Sequence, residues 1–362
     1  MPCAIRIEIA PKRTSNRDEL QCLRIICQVM SINDSTIVKD VALTELSLEN
    51  NIFSLIQIIH PQWSKFNTVF KRFDKGLNNS VIAVFEIDTN TNEIINESEG
   101  LLIKIYGHDT DLFIDRQNEL NIMKKISNHG FSNNILLQFS NGYICSYIPG
   151  EACNSKQVLS EHISFLIAKK LAHYHSLPLP NEKLGTCLIS RMKKFFSAIK
   201  VKDQLHTNLS ADIEHIETFI MPRFELDIVL CHNDLVADNI IYNVEKDDVS
   251  FIDFEYGFYN YWLYDIADHF TQCDDLYPSR EYQKQWLSVY LLYKTKHSRD
   301  EQFDLDTLCN LITKFSALSN LFWTLWAYAK AHLMNNDHFS YEENGKMRYN
   351  KYLELKPFLF VQ

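Results

Sequence analysis

The chain has 362 residues, of which 46% are hydrophobic and 23% are charged; these are the proportions of a globular protein long enough for two domains. Its 36 Lys and Arg residues against 46 Asp and Glu residues give a formal charge of −10, which argues against nucleic acid or an anionic membrane as the main partner. Nine scattered cysteines without a Cys-x-x-Cys pair give no support to a zinc ribbon and favour reduced thiols in a cytoplasmic protein. The start of the chain has no apolar leader and no long uncharged apolar run follows, so no membrane insertion is expected.

The first part of the chain mixes helical and strand patterns. Apolar residues at helical spacing predict helices over 15–30, 45–59 and 115–126. Alternating apolar residues predict strands over 68–73, 80–87 and 101–106, and two more within 131–147. The first two strands flank a turn with Gly and Asn, which is typical of a β-hairpin.

The second part of the chain is mainly helical in pattern. Helices are predicted over 162–176, 191–197, 210–224, 282–294 and 305–333, with two short strands over 228–231 and 249–252. We therefore expect an α+β, bilobal protein with a β-rich N-terminal lobe at 1–148 and a mostly helical C-terminal lobe at 149–362. A hinge is expected near 148–152, with the functional cleft between the lobes.

Two acidic motifs follow the predicted strands of the second part. The pattern His-x-Asp-x-x-x-x-Asn occupies 232–239, and Asp253 comes directly after the next apolar strand. Phosphoryl transfer needs a positioned hydroxyl, an acceptor for its proton and Mg²⁺ across the phosphates of ATP. We interpret Asp234 as the catalytic base, Asn239 and Asp253 as oxygen ligands of Mg²⁺, and His232 as a brace for the loop. Alone, these could be turn residues and a strand-end cap, but the ordered pair of motifs favours a kinase.

A kinase also needs groups upstream that bind the nucleotide. Lys104 lies in the middle of an apolar strand, where it can meet the phosphates of ATP, and Glu119 on the next helix can pair with it. A lysine in such a strand is more often an edge residue with its amine in water, so Lys104 depends on the other motifs for its interpretation. The loop between the first two strands, with Gly76, Asn78 and Asn79, is predicted to cover the phosphates, although one glycine is a weak phosphate-loop signal.

The stretches 230–243 and 251–270 resemble the two signature motifs of choline/ethanolamine kinases. The similarity continues at 102–107, at 115–116, in the Phe-Trp-Thr-Leu-Trp segment at 322–326 and at 351–357, so it spans about residues 50 to 357. The resemblance implies a protein-kinase-like fold, ATP with Mg²⁺, and phosphorylation of ethanolamine or choline in the cytoplasm as the first step of phospholipid headgroup synthesis. Residues 141–142, 150–151 and 276–280 resemble ethanolamine kinases more than choline kinases.

The substrate pocket is expected to be aromatic. Trp323 and Trp326 are three residues apart on a predicted helix and share a side of it, where their rings can attract an ammonium group, although such pairs are mostly core residues. Asp234, Glu255 and Tyr256 are assigned to the same pocket, and a second aromatic cluster lies at 260–264.

One position departs from the pattern of the family. Choline/ethanolamine kinases usually carry a Glu two residues after the His-Phe pair, where this chain has Gln272. A neutral amide accepts a hydrogen bond but does not attract a cation by charge. Asp268, Asp274 or Asp275 could supply the charge instead, which leaves the choice between ethanolamine and choline open.

Other functions remain to be compared with this one. A choline-preferring kinase, or a phosphotransferase for aminoglycosides on the same fold, shares the two acidic motifs, and a pseudokinase would bind nucleotide without turnover. Protein kinases are less suitable, because Asn233 and Glu255 replace the Arg and Gly of their motifs and no Ala-Pro-Glu follows. The expected partner is thus a small amino alcohol, and a homodimer is compatible with the sequence.

Overall fold

The computed structural model describes residues 36–39, 43, 48–73, 79–107, 110, 113–178, 185–200, 203–273, 276–294, 304–333 and 339–360. Contacts group the chain into two compact units. The first comprises Met1–Thr110 and Ser132–Pro149, and the second comprises Asp111–Phe131 and Gly150–Gln362. The division of the chain into lobes at 1–148 and 149–362 stays a prediction, as does the hinge. The helix predicted over 15–30 lies outside the described residues.

The first unit is built on a six-stranded sheet with the order β1-β5-β6-β4-β3-β2. Its strands are β1 (Ile37–Val38), β2 (Thr68–Phe73), β3 (Asn79–Glu86), β4 (Leu101–Tyr106), β5 (Ile135–Phe139) and β6 (Gly142–Ser146). β1 runs parallel to β5, and the other neighbours are antiparallel. Because β2 and β3 pair as neighbours, the predicted hairpin is confirmed.

Helix α1 (Leu48–Ile59) packs against this sheet. Its residues Leu55 and Ile56 are completely buried in one cluster with Ile103 of β4 and Leu137 of β5. Burial of each such side chain is worth about 1.5–3 kcal/mol, so the helix and sheet hold each other. The neighbour of Ile103 in sequence, Lys104, is also buried and lies between Val81 and Tyr143 in register.

The second unit is mostly helical, as the sequence predicts. Its helices are α2 (Arg116–Ser127), α3 (Ser155–Val158), α4 (Glu161–His175), α5 (Leu188–Ala198), α6 (Gln204–His215), α7 (Trp262–Thr271), α8 (Arg280–Tyr293), α9 (Leu305–Leu333) and α10 (Tyr341–Phe360). Five short strands accompany them: β7 (Glu151–Ala152), β8 (Ile228–Cys231), β9 (Ile240–Asn243), β10 (Asp248–Phe251) and β11 (Phe258–Tyr261). They form the sheets β10-β9-β7 and β11-β8.

The 29-residue helix α9 is the core of this unit, and α7 and α10 pack against it. Within the ranges described, no helix combines the length and apolar character that crossing a membrane requires. The helix predicted over 210–224 is α6 followed by a π turn at Ile216–Ile220 and a 3₁₀ turn at Met221–Arg223. Pro222 cannot donate the backbone hydrogen bond that a continuing α-helix would need.

Three helices, the four-residue α3 and the longer α7 and α10, have no counterpart in the predicted elements. Helix α7 has Asp265, Asp268 and His269 on one side, but with ten residues it makes only about three turns, too few for the spacing to distinguish a helix from another apolar segment. In α10 the buried residues are few and widely spaced: Tyr341, Gly345, Tyr352 and Leu359. A prediction from sequence depends on an apolar stripe that is longer than that of α7 and more regular than that of α10.

Candidate active site

The loop that carries the first acidic motif leaves β8 and is fixed by a single buried carboxylate. Asp265 of α7 accepts the backbone N–H of His232 at 2.7 Å and that of Asn233 at 2.6 Å. His175 of α4 also bonds to this carboxylate, at 2.9 Å from its Nε2 atom. Burial acts to raise the pKa of Asp265, but the bond and charge of His175 with the charge of His232 outweigh it and lower the pKa. The carboxylate therefore stays ionised where the loop needs an acceptor.

Asn233 sets the direction of this loop. Its φ of 60° lies in the left-handed region, which Asn tolerates better than most residues. The buried side chain donates to the carbonyl oxygens of Cys231 at 3.2 Å, Tyr256 at 3.3 Å and Phe258 at 3.2 Å, and accepts from Asn260 at 2.9 Å. These bonds tie the loop to the segment that includes β11.

The two acidic motifs are brought together by short hydrogen bonds. Asn239 donates from Nδ2 to the carbonyl of Asp234 at 2.9 Å, and its own carbonyl accepts from the N–H of Ile252 at 3.0 Å. The Nε2 atom of His232 lies 2.9 Å from the carbonyl of Ile252. The next residue, Asp253, has a φ of 65°. The His232 ring thus links the first motif to the residue before Asp253.

The electrostatics of Asp234 show that several acids share one site. The pKa of Asp234 is raised well above its ordinary value, first by burial and then by the charges of Asp268, Asp253 and Glu255, while Arg348 opposes the shift. Coulomb interactions of this kind fall off with distance and with solvent screening. Asp234, Asp253 and Glu255, three of the residues that the sequence predicts, are therefore neighbours.

Asp253 also belongs to a second group of carboxylates. One carboxylate oxygen from each of Glu119, Asp253 and Glu255 lies within 4.8 Å of the others. Arg116 Nη1 is 3.3 Å from Glu119 and 3.2 Å from Glu255, and so balances part of this charge. Lys330 of α9 has its pKa lowered to about 8 by burial, with the charge of Glu255 acting against the shift.

The donor atoms in this group fit a hard divalent cation such as Mg²⁺. All three groups are carboxylates, and Mg²⁺ takes oxygen ligands. The Nδ2 bond of Asn239 to the loop leaves its Oδ1 atom to act as an acceptor or ligand. Asp253, with Asn239 as predicted and with Glu119 or Glu255 in addition, is thus the set of residues that would hold the metal.

Aromatic side chains from α9 lie next to Tyr256. The indole Nε1 of Trp326 donates to the hydroxyl of Tyr256 at 2.7 Å, and the rings of Tyr256 and Trp323 meet edge to face at 5.2 Å. Trp323 also donates from Nε1 to Asp268 Oδ1 at 2.7 Å. Both tryptophans are 6% exposed. The three predicted aromatic residues therefore form one cluster next to a buried carboxylate.

The other aromatic segment, at 260–264, is core rather than pocket. Trp262 and Tyr264 are completely buried, and Trp262 stacks on Tyr290 with ring centroids 5.1 Å apart.

Gln272 at the end of α7 is held by Arg348 of α10. Arg348 donates from Nη2 to the Gln272 side-chain oxygen and from Nη1 to the carbonyl of Thr271 at 3.1 Å. The amide of Gln272 is thus already an acceptor for a cation of the protein itself.

The predicted nucleotide-binding residues fall in different parts of the chain. Lys104 and Asn79 belong to the first unit, on β4 and at the start of β3, whereas Glu119 belongs to the second unit. The pairing of Lys104 with Glu119 stays a prediction. Gly76 and Asn78 lie outside the described residues.

Sequence reasoning assigned no role to Asp265, His175 or Arg348. Asp265 had a signal, because it lies in the second signature stretch, but the pattern alone did not show which backbone groups it holds. His175 is an ordinary residue of an amphipathic helix in sequence. Arg348 lies on α10, which was not predicted, so nothing connected it with Gln272.

Comparisons with known proteins show which family this chain matches. A family model described as choline/ethanolamine kinase matches residues 70–353. Ethanolamine kinase 1 of Mus musculus is 31% identical over 337 residues, which cover 86% of this chain and 91% of that protein. The solved structure of an ethanolamine kinase from Plasmodium vivax aligns with a TM-score of 0.72 and 26% identity, covering 87% of this chain and 91% of that one. A choline kinase from Cryptosporidium parvum aligns with a TM-score of 0.70 over 86% of this chain and 96% of that one, and at 22% identity it supports the fold alone. The predicted fold class is confirmed by these matches.

Proposed function

The chain belongs to the choline/ethanolamine kinase family, and from this premise we propose that it transfers the γ-phosphoryl group of ATP to the hydroxyl of ethanolamine in preference to choline. As a member of this family it is a phosphotransferase that uses ATP and an alcohol acceptor. The observation that carries the proposal is the convergence of Asp234 and Asp253 beside the aromatic cluster of Tyr256, Trp323 and Trp326.

Asp234 is proposed as the acceptor for the proton of the substrate hydroxyl. Burial and three neighbouring carboxylates raise its pKa, and a carboxylate with a raised pKa is a stronger base than an ordinary one. Its backbone is held through Asn239 and through the Asp265 bonds to the two preceding residues. The loop can thus present the carboxylate without rearrangement, which lowers the cost of reaching the transition state.

Asp253 and Asn239 are proposed as ligands of Mg²⁺, with Glu119 or Glu255 in support. When bound, the metal neutralises the charge that develops on the phosphoryl oxygens. Arg116 spans Glu119 and Glu255 and would keep these carboxylates in place. In the first unit, Lys104 and the β2–β3 loop with Asn79 are proposed to bind the phosphates of ATP.

The aromatic cluster is proposed to bind the ammonium end of the substrate. The faces of Trp323, Trp326 and Tyr256 can each attract a cation by about 0.5–2 kcal/mol. A primary ammonium also donates hydrogen bonds, which a trimethylated one cannot do. The relatives named as ethanolamine kinases and the polar groups around the cluster, such as Asp268, support a preference for ethanolamine.

The test is a coupled ADP-release assay with ethanolamine, its monomethyl and dimethyl derivatives, and choline. The expected result is Mg²⁺-dependent turnover with kcat/KM falling as methyl groups are added. If kcat/KM instead rises as methyl groups are added, choline is the preferred substrate. If none of the four compounds causes ADP release, the proposal that the acceptor is an amino alcohol is refuted.

Two further proposals concern the setting of the enzyme. Cytoplasmic action is supported by free thiols among the described residues, such as buried Cys153 and Cys231, because such thiols are typical of reducing compartments. Fractionation of cells that express the tagged protein tests this. Assembly as a homodimer stays a prediction, which light scattering after size-exclusion chromatography tests.

A further inference from the structure

Asp268 of α7 is a buried carboxylate, and only one of its two oxygens accepts a hydrogen bond from the described residues. Its Oδ1 atom accepts from the hydroxyl of Ser319 and from the indole of Trp323, each at 2.7 Å. Its Oδ2 atom is buried and has no hydrogen-bond partner within the described part of the chain. A buried charge without a partner costs free energy. Such an arrangement calls for an explanation, and a ligand that supplies the missing interaction is one.

The carboxylate lies where such a ligand would bind. Trp323, which Asp268 holds, meets Tyr256 edge to face, and these rings belong to the proposed ammonium site. Among the charges that raise the pKa of Asp234, that of Asp268 is the largest. The negative charge of Asp268 therefore acts both on the proposed ammonium site and on the proposed catalytic base.

Among the described residues, no other carboxylate replaces it at the end of α7. Gln272 stands where the family usually has a Glu, and its side-chain oxygen accepts from Arg348. Even a carboxylate at that position would be largely neutralised by the guanidinium. Asp274 and Asp275, the other candidates from the sequence, lie outside the described residues. Among the candidates at the end of α7, Asp268 is thus the carboxylate whose described position supports a role in attracting the ammonium group.

We propose that Asp268 is a specificity-determining residue, which makes the pocket select a positively charged amino alcohol. It acts on the ammonium group in two ways, by polarising the ring of Trp323 and by its own negative charge. The inference rests on the proposed function. A carboxylate that accepts an indole N–H increases the electron density of the ring and so strengthens its attraction for a cation. The field of the charge adds to this effect, because water is excluded around it. Asp268 touches no reacting atom and acts as a positioning residue.

The protonation of Asp268 is consistent with this role. Burial raises its pKa to about 7, against the opposing bonds from Ser319 and Trp323. The charge of Asp265 raises the pKa further, while that of Arg348 lowers it. A substrate cation favours the ionised form, so the carboxylate responds to the charge of the ligand.

The experiment compares wild type with Asp268→Asn, which keeps the size of the side chain and an oxygen for Ser319 and Trp323. KM and kcat are measured for ethanolamine and choline, and inhibition constants for their neutral isosteres propan-1-ol and 3,3-dimethylbutan-1-ol. We expect KM for the cations to rise about tenfold, with kcat, the KM for ATP and the inhibition constants changed less than about threefold. A calorimetric titration of the substrate into the nucleotide-free enzyme should show the same loss of affinity.

Two variants complete the design. Asp212→Asn is the matched control. Asp212 is also a buried carboxylate, but it accepts hydrogen bonds from Tyr352 and Lys356 and is not among the charges that act on Asp234. The KM values of this variant should stay at the wild-type level. Trp323→Phe keeps a ring but removes the N–H that Asp268 accepts, and should raise KM for the cations by more than it raises the inhibition constants of the neutral isosteres. This variant keeps the test open if Asp268→Asn folds poorly.

The outcomes separate the two levels of the proposal. If wild type phosphorylates an amino alcohol and Asp268→Asn has the same KM, the inference is overturned while the kinase function stands. An equal loss for cations and neutral isosteres would indicate a change of pocket shape and would also overturn it. If wild type turns over neither ethanolamine nor choline, the proposed function itself fails.

Discussion

Replacement of Asp265 by Asn should damage both the fold and the reaction, because one carboxylate holds the loop before Asp234. Asp265 accepts from the backbone of His232 and Asn233 at 2.7 and 2.6 Å and bonds to His175 at 2.9 Å. In Asp265→Asn one oxygen becomes an NH₂ group that faces a backbone donor. A hydrogen bond to a charged group is worth about 1.5–3 kcal/mol, and an unsatisfied buried donor costs about 1–3 kcal/mol more. We therefore expect the free energy of unfolding to fall by roughly 3–5 kcal/mol.

The catalytic effect of the same substitution follows from the displaced loop. A shift of Asp234 by about 1 Å can reduce kcat roughly a hundredfold, while the KM for ATP should change little. Urea denaturation gives the stability, and the ADP-release assay gives kcat. Asp306→Asn serves as a control, since Asp306 is an exposed carboxylate paired with Arg280 and Lys284 on the surface, and its unfolding midpoint should barely move. The reasoning would be refuted by an Asp265→Asn protein with unfolding free energy within about 1 kcal/mol and kcat within about threefold of wild type.

Four further predictions concern single side chains of the site. Asp234→Asn should lower kcat by at least about a hundredfold while calorimetry still detects ATP binding; near-normal turnover would rule out its role as base. Asp253→Asn should weaken nucleotide binding in the presence of Mg²⁺ but not in its absence, and an affinity equal to that of wild type with Mg²⁺ present would contradict the ligand assignment. The pKa of Asp268 is raised in the folded state to about 7 from 3.8, so between these pH values the folded state binds more protons than the unfolded state. The stability that protonated Asp268 contributes is therefore lost as the pH rises. Relative to Asp268→Asn, wild type should thus lose about 2 kcal/mol between about pH 5 and pH 7 in urea titrations, and a difference that does not vary with pH would show the shift to be absent. Tyr256→Phe should leave the buried indole N–H of Trp326 without its acceptor, which costs about 1–3 kcal/mol in unfolding free energy and should raise KM for the amino alcohol; a variant as stable and as active as wild type would argue against this contact.

The parts of the fold that could be predicted are those with a clear period. The strand over 101–106 and the helix over 305–333 coincide with β4 and α9, because each shows its apolar spacing over its whole length. Helix α7 was missed because its ten residues are too few for the spacing to distinguish a helix, and α10 because its buried residues are too sparse to mark a face. Pattern alone cannot separate such segments from loops or core strands.

The candidate site divides in the same way. Asp234, Asn239 and Asp253 could be proposed from the sequence because phosphoryl transfer needs these types of side chain at fixed spacing after two strands. The supports of the site could not be found so easily, since Asp265 acts from a different helix through backbone hydrogen bonds. Arg348 holds Gln272 from 76 positions away, and such a contact depends on tertiary packing that no local pattern contains.

The separation of the site into two groups of elements explains how this chain can depart from its family at Gln272 and keep the machinery for phosphoryl transfer. Asp234 and Asp253 lie on the loops after β8 and β10, and their positions depend on the hydrogen bonds of His232 and Asp265. Most of the groups that would meet the ammonium end come instead from α7 and α9, and Tyr256 joins them from the segment after β10. A substitution near residue 272 is therefore expected to alter the charge around the headgroup without moving the proposed base or the proposed metal ligands. Substrate choice can then change through a few buried charges, while the geometry of the reacting groups stays under the control of other residues.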